Sequence, residues 1–231
     1  MYKRILLKIS GEALAGEKKT GINSEAVGEI CDRIKKISEK GIELGVVVGG
    51  GNFWRGRDSH DIERTTSDYI GMMATVMNAL AVRDSLETRG VDAVVLSALE
   101  MNTIAESYTK RKMEEYLKQG KVVIFSAGTG HPCFSTDTCA ALRAAEMNAE
   151  AILVAKTIDG VYSADPKVDS TAIKYDTISY DEVLNKNLRV MDLASTVICK
   201  ENNIPLVVFS IYDRDNIVKA AEGETIGTLV K

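Results

Sequence analysis

The chain has few of the residues from which staples and metal centres are built. Only two histidines, His60 and His131, occur in 231 residues, and the cysteines Cys31, Cys133, Cys139 and Cys199 form no Cys-x-x-Cys pair. A zinc site of usual spacing cannot be assembled from that set, so the cysteines read as reduced, mostly buried thiols. Proline is scarce, 3 against 18 glycines, yet 45% apolar and 27% charged residues make an ordinary globular composition, neither disordered nor collagen-like. Positive charge is not in excess. At a formal charge of -4 no protein-wide field gathers nucleic acid or an anionic membrane surface, so any phosphate must be held by a local site. Long apolar runs are also missing: Ile5-Leu6-Leu7 ends in charge at Lys8, too short for a signal sequence, and no later segment nears the ~18 residues of a spanning helix. The expected setting is the reducing cytoplasm, with neither nucleic acid nor membrane as partner.

What the chain does have is a set of short runs rich in Val, Ile and Leu, at 5–9, 44–48, 93–96, 122–125, 151–154 and 206–209. Each is bounded by glycine or polar residues and reads as a strand buried on both faces. Helical patterns lie between them. Val27, Ile30, Ile34 and Ile37 repeat at helical spacing after Asn23 or Ser24 and stop at Gly41. A second helix is expected over 67–89, with Ile70, Met73, Met77 and Leu80 on one face and Met72, Met73 and Met77 as packing residues. Alternation of this kind predicts right-handed crossovers and a three-layer αβα sandwich around a mainly parallel sheet, in a single domain spanning 1–231.

Ligands of such sheets bind beyond the carboxyl ends of the strands. Three places qualify. Lys8 closes the first strand, followed by Ile9, Ser10 and Gly11; it is either a ligand-facing ammonium or an edge lysine reaching for water. Gly49-Gly50-Gly51-Asn52, with Arg55 close behind, is either an anion-binding backbone loop or a plain tight turn, with Phe53-Trp54 as a rim or core pair. Gly128-Thr129-Gly130, leading to Ser135, Thr136 and Asp137, reads as a phosphate cradle at a helix N-terminus or as simple capping by Thr136 or Asp137. Two look-alikes fail. Gly11 to Gly16 has the gap of a Walker A loop but places Glu17 where the lysine belongs, and Cys133 replaces the third glycine of a dinucleotide fingerprint.

Taken together, Lys8-Ile9-Ser10-Gly11-Glu12-Ala13-Leu14, Gly49 to Asn52 with Arg55, Asp68 before Gly71-Met72-Met73-Ala74-Thr75-Val76-Met77-Asn78, and Ser126 to Gly130 resemble the bacterial UMP kinases of the amino acid kinase superfamily. Thr136-Asp137, Asp159 to Pro166 and Val190-Met191-Asp192 extend the likeness along nearly the whole chain, and the Met-rich segment is its most specific part. That coverage decides between the paired readings above. The resemblance implies transfer of the γ-phosphoryl group of ATP to UMP, in pyrimidine nucleotide (CTP) biosynthesis, with Mg²⁺ bridging the ATP phosphates. It implies Lys8, Arg55 and Asp137 as catalytic residues, Asp137 orienting Lys8. ATP would meet Lys8, Ile9, Ser10, Gly11, Gly51, Arg55, Tyr162 and Asp165, with Lys156 or Thr157 on the adenine side. UMP would meet Gly50, Asp68, Thr129, Gly130, His131, Pro132, Cys133, Phe134, Ser135 and Thr136. A homohexamer is implied too, with GTP and UTP as effectors, the 16–21 segment being similar to the family's stretch associated with the GTP response. Competing readings are a superfamily kinase for carboxylates or carbamate, and a nucleotide sensor on the same fold; Asp68 with the Met-rich helix opposes the first, Lys8 and Asp137 the second.

Overall fold

The six apolar runs all form strands, since residues covered on both faces of a sheet need no polar alternation. The computed structural model describes residues 1–55, 61–188, 190–213 and 215–231, so His60 lies outside the described residues. In the first half the elements are β1 (Arg4–Ile9), α1 (Gly11–Ala15), α2 (Ser24–Ser38), β2 (Glu43–Val48), α3 (Arg64–Glu87), β3 (Ala93–Ser97), β4 (Glu106–Ser107), α4 (Lys110–Lys118) and β5 (Val122–Ser126). The second half adds α5 (Thr136–Glu146), β6 (Ala151–Lys156), β7 (Val161–Tyr162), β8 (Lys174–Tyr175), β9 (Thr177–Ile178), α6 (Tyr180–Asn185), α7 (Leu193–Glu201), β10 (Leu206–Ser210), α8 (Asn216–Glu222) and β11 (Thr228–Val230).

Nine of these strands make one sheet in the order β4-β3-β5-β2-β1-β6-β10-β11-β9, and β7 and β8 form a separate antiparallel pair. Within the large sheet β11 runs antiparallel to β10, and the other pairings among the described residues are parallel. β1 is the switch strand. The chain builds outward from it on one side with β2 to β5, then returns to lay β6 against its other edge. Open parallel sheets bind ligands at such a point.

The two-residue period of β1 sorts its side chains between the outer layers. Ile5, Leu7 and Ile9 join the core under α2, α3 and α8, through Ile30, Ile34, Val82 and Ala220. Leu6 joins the opposite core, with Cys139 and Ala144 of α5 and Cys199 of α7. Lys8 shares the face of Leu6 and therefore points toward α5. This is an α/β sandwich with a mainly parallel sheet, as expected. The α2 start also agrees: the Asn23 side chain accepts from the N–H groups of Glu25 and Ala26 at 2.9 and 3.2 Å.

Three expectations need correction. α3 begins at Arg64 and ends at Glu87, and it buries Thr75, Asn78, Ala79, Val82 and Leu86, while Met73 and Met77 are exposed. The helix covers polar loops as well as apolar strands, so its buried face is not its most methionine-rich one. Second, Cys133 is exposed, although the other three thiols are buried. Third, neither Thr136 nor Asp137 caps α5: the Ser135 hydroxyl does, accepting from the N–H groups of Asp137 and Thr138. Among the described residues no helix is long and apolar enough to cross a membrane.

Candidate active site

A cleft of about 770 Å³ opens at the carboxyl ends of β1, β2 and β5. Its wall includes Lys8, Ser10, Gly11, Gly50, Gly51, Arg55, Asp68, Thr129, Cys133, Phe134, Ser135, Thr136 and Asp137, all expected at nucleotide sites. Ile9, Gly130, His131, Pro132, Thr157, Tyr162 and Asp165 are not part of it. The reasons are local. Alternation along β1 turns the Ile9 side chain into the core beneath α2, and its carbonyl accepts from Gly49 N–H at 2.9 Å. The Tyr162 hydroxyl donates to Asp159 at 2.8 Å, and Asp165 accepts from Lys167 N–H at 2.9 Å, both on the segment carrying the β7–β8 pair.

Lys8 crosses to α5 and places Nζ 2.7 Å from Asp137 Oδ1, in ion-pair rather than hydrogen-bond geometry. Both side chains are largely buried, so neither charge is well served by water and each holds the other in place. Asp137 in the first turn of α5 also gains from the helix dipole. The Ser135 hydroxyl occupies the first amides of this helix, and the carboxylate in its first turn faces Lys8.

Asp192, just before α7, braces the same corner. Its carboxylate accepts from the Ser135 hydroxyl, from Thr138 Oγ1 at 2.8 Å and from Ser195 N–H at 2.8 Å. Burial pushes its pKa up, but the hydrogen bonds from Ser135, Ser195 and Thr138 outweigh that and hold it below the usual aspartate range. A second cavity of about 510 Å³ lies behind this corner, bordered by Lys156, Val183, Leu184 and Met191. Asp137 and Asp192 line both cavities. The Lys156 ammonium donates to the Val190 carbonyl; burial lowers its pKa, the charge of Asp137 opposes the shift and Lys8 reinforces it.

The glycine loop is pressed against other backbone. A Cβ on Gly50 would stand 2.8 Å from the Gly71 carbonyl oxygen and 2.9 Å from Ala74 Cβ, and one on Gly11 would stand 2.8 Å from Gly51 N. Only glycine fits so close an approach. Behind the loop the buried amides of Asn52 and Asn78 bond reciprocally at 2.7 and 3.0 Å, and Asn78 also donates to the Gly49 carbonyl at 2.7 Å. Arg55 reaches Glu12 at 2.5 Å across the cleft mouth. Asp68 accepts from Arg64 at 3.0 Å and from the Cys133 N–H at 2.8 Å.

Sequence reasoning assigned no site role to Glu12, Trp54, Arg64, Thr75 or Asp192, all of which line the cleft. Asp192 carried a usable signal, an aspartate just ahead of a helical run inside a noted motif. The sequence allows Trp54 to be rim or core; its indole N–H donates to Ser67 at 2.9 Å, and the residue borders the cleft. Arg64 carried a helical-spacing signal, four residues before Asp68, whereas Glu12 had no local signal because its partner Arg55 comes from another loop.

The chain as a whole is similar to proteins of known structure. The chain is 36% identical to a UMP kinase from Bacillus anthracis, over 100% of this chain and 96% of that one, with a TM-score of 0.96. A UMP kinase from Ureaplasma parvum is 38% identical over 100% and 99%, TM-score 0.94, and a uridylate kinase from Archaeoglobus fulgidus is 29% identical over 100% of both chains, TM-score 0.75. The amino acid kinase family model matches residues 3–210, and the chain belongs to the amino acid kinase family.

Proposed function

We propose that the protein is a UMP kinase that transfers the γ-phosphoryl group of ATP to UMP. The observation that carries the reading is the Lys8–Asp137 pair, set between a glycine loop and the 128–136 loop at the switch strand. Full-length similarity to the Bacillus and Ureaplasma UMP kinases supports the choice of acceptor.

The chemistry asks mainly for electrostatics. The UMP phosphate has a second pKa near ~6 and is mostly dianionic at neutral pH, so it attacks without a general base. The protein must hold two polyanions in line and neutralise the equatorial oxygens of the migrating group. Lys8 supplies a cation fixed in advance by Asp137, the glycine-loop amides supply backbone donors, and Arg55 supplies a mobile fork. Asp68, with the loop it anchors, is assigned to UMP; Ser10, Gly11, Gly51 and Lys156, at the second cavity, are assigned to ATP. Ile9, Thr157, Tyr162 and Asp165 lie off both cavity walls and are the weaker part of that assignment.

Among the described residues no cluster of three or more His, Cys, Asp or Glu side chains converges as a metal cage. The Asp137 carboxylate, paired with Lys8 at the cleft, fits Mg²⁺ carried by the nucleotide, which typically uses one or two carboxylates plus phosphate oxygens. When bound it offsets phosphate charge.

One sheet running through the chain supports a single domain over 1–231. The reading places the enzyme in the cytoplasm, in pyrimidine nucleotide (CTP) synthesis, as a homohexamer with GTP and UTP as effectors. Exposed Tyr69, Met73 and Met77 on the outer face of α3 support a symmetric contact there. The deciding experiment is coupled ADP release with UMP, dUMP, CMP, AMP, glutamate, N-acetylglutamate, aspartate and carbamate as acceptors. UMP should lead; an amino acid or carbamate in first place would overturn the reading.

A further inference from the structure

Toward the interior, α3 carries four polar side chains, each of which reaches a cleft loop. Ser67 accepts from Trp54, Asp68 from Cys133 N–H, Thr75 from Ala127 N–H at 2.8 Å, and Asn78 donates to Gly49. Two of these contacts hold the same loop, one near each end. Both fall on residues that are left-handed without being glycine, Ala127 at φ 59° and Cys133 at φ 71°. A side chain makes that conformation unfavourable, because Cβ crowds the following carbonyl oxygen. Asp68 and Thr75 are seven residues apart, close to two helical turns, so one face of the helix presents both anchors.

The Thr75 bond is the more exacting of the two. Its hydroxyl donates to the Met72 carbonyl at 2.7 Å, which fixes the proton and leaves a lone pair for Ala127. Thr75 and Ala127 are both buried, so without this oxygen the Ala127 N–H would face neither water nor another acceptor among the described residues. A residue present only to fill space would need no hydroxyl there.

The geometry points to Thr75 as a positioning residue for the acceptor site: its hydroxyl fixes the left-handed turn at Ala127 by which the chain leaves β5, and so sets where the 128–136 loop meets UMP. The inference rests on the UMP kinase reading. Asp68 holds the loop further on, at the Cys133 N–H, and both residues border the cleft.

The test is steady-state kinetics on Thr75→Val, Thr75→Ser, Ala127→Gly and the double variant T75V/A127G, with amide hydrogen exchange of residues 127–136 in the nucleotide-free protein. Thr75→Val is nearly isosteric and should raise KM for UMP on the order of 10–10²-fold with KM for ATP within about twofold, the loss expected when a positioning contact goes. Thr75→Ser keeps the hydroxyl and should behave like wild type. Ala127→Gly in the Thr75→Val background should recover most of the UMP affinity, because glycine adopts positive φ freely. A purely packing role predicts no such rescue. Equal rises in both KM values, an unchanged KM for UMP, or no recovery in the double variant would overturn the inference. If Thr75→Val alone is too unstable to assay, the double variant decides, since its KM for UMP should lie near that of wild type. Hydrogen exchange separates this outcome from failure of the UMP reading: a wild-type enzyme inert toward UMP sinks that reading, whereas a 127–136 segment equally protected in wild type and Thr75→Val sinks this one.

Discussion

The two loops that line the cleft differ in how far backbone packing holds them. Residues 49–52 are packed on backbone, with Gly49 bonded to Ile9 and Gly50 pressed against Gly71, and are tied from behind by the Asn78 side chain. Residues 127–136 are tethered by side chains from other elements, Thr75 and Asp68 of α3 and Asp192 ahead of α7, and they leave Phe134 exposed. The difference matches two demands. Charge that develops during transfer is best met by donors that need not move, whereas an acceptor has to enter and leave.

The contrast is sharpest at the fixed side. Lys8→Ala should slow turnover on the order of 10²–10³-fold, the loss typical of one donor to developing charge, with a smaller change in ATP affinity. A variant keeping more than half of wild-type turnover would remove Lys8 from the chemistry. On the tethered side the expected effect is selectivity. Uracil offers an acceptor at O4 and a donor at N3, and cytosine reverses both, so a loop paired to one leaves groups unpaired against the other. At roughly 1–3 kcal/mol for each unsatisfied group, UMP should exceed CMP in kcat/KM on the order of 10²-fold. Values within a few-fold under identical Mg-ATP would mean that the 128–136 loop does not read the base.

Glycine substitutions test the packing difference directly. Gly50→Ala forces backbone apart and should lower stability by about 1–3 kcal/mol through overpacking. Gly128→Ala meets nothing within 4 Å, so its loss comes from the strain of positive φ alone, about 1 kcal/mol. Thermal melts in which Gly128→Ala is the worse variant would reverse the comparison. The smallest expected effect is a pH dependence at Asp192. Its folded pKa is depressed, so its contribution is present above the ordinary aspartate value of about 3.9 and is lost as pH falls through the folded value. The Tm gap between wild type and Asp192→Asn should therefore be widest near neutrality and narrow below about pH 4. A gap that stays flat with pH would deny the carboxylate's charge a part in holding Ser135.

Much of the sheet was legible because doubly covered parallel strands leave continuous apolar runs. β4, β7, β8 and β9 were not, since two residues carry no periodicity, and neither was three-residue β11. The buried face of α3 differs from the expected one for a physical reason: its stripe of methionines suggests a core face, while its buried face holds Thr75 and Asn78 against loops that only tertiary structure brings near. Lys8, the glycine loop and Asp137 could be read because strand ends and glycine triplets mark places where ligands bind. The Ser135 cap is local, a serine just ahead of α5, but the bonds from Asp192 that brace Ser135 and Thr138 depend on α5 and α7 meeting, which no local pattern encodes.

The Arg55–Glu12 contact changes how phosphate arrival should be pictured. Arg55 is 60% exposed at the side chain, so its pairing with Glu12 is of the surface kind, typically worth about 0–1 kcal/mol. A dianionic phosphate offering a bidentate partner displaces so weak a placeholder readily. On the proposed reading the guanidinium would exchange one anion for another instead of capturing one from bare solvent, and Glu12, released beside Gly51, would return a negative charge to the cleft mouth once the product departs. Arg55 would then be an ion exchanger with a built-in counterion, reset at each turnover.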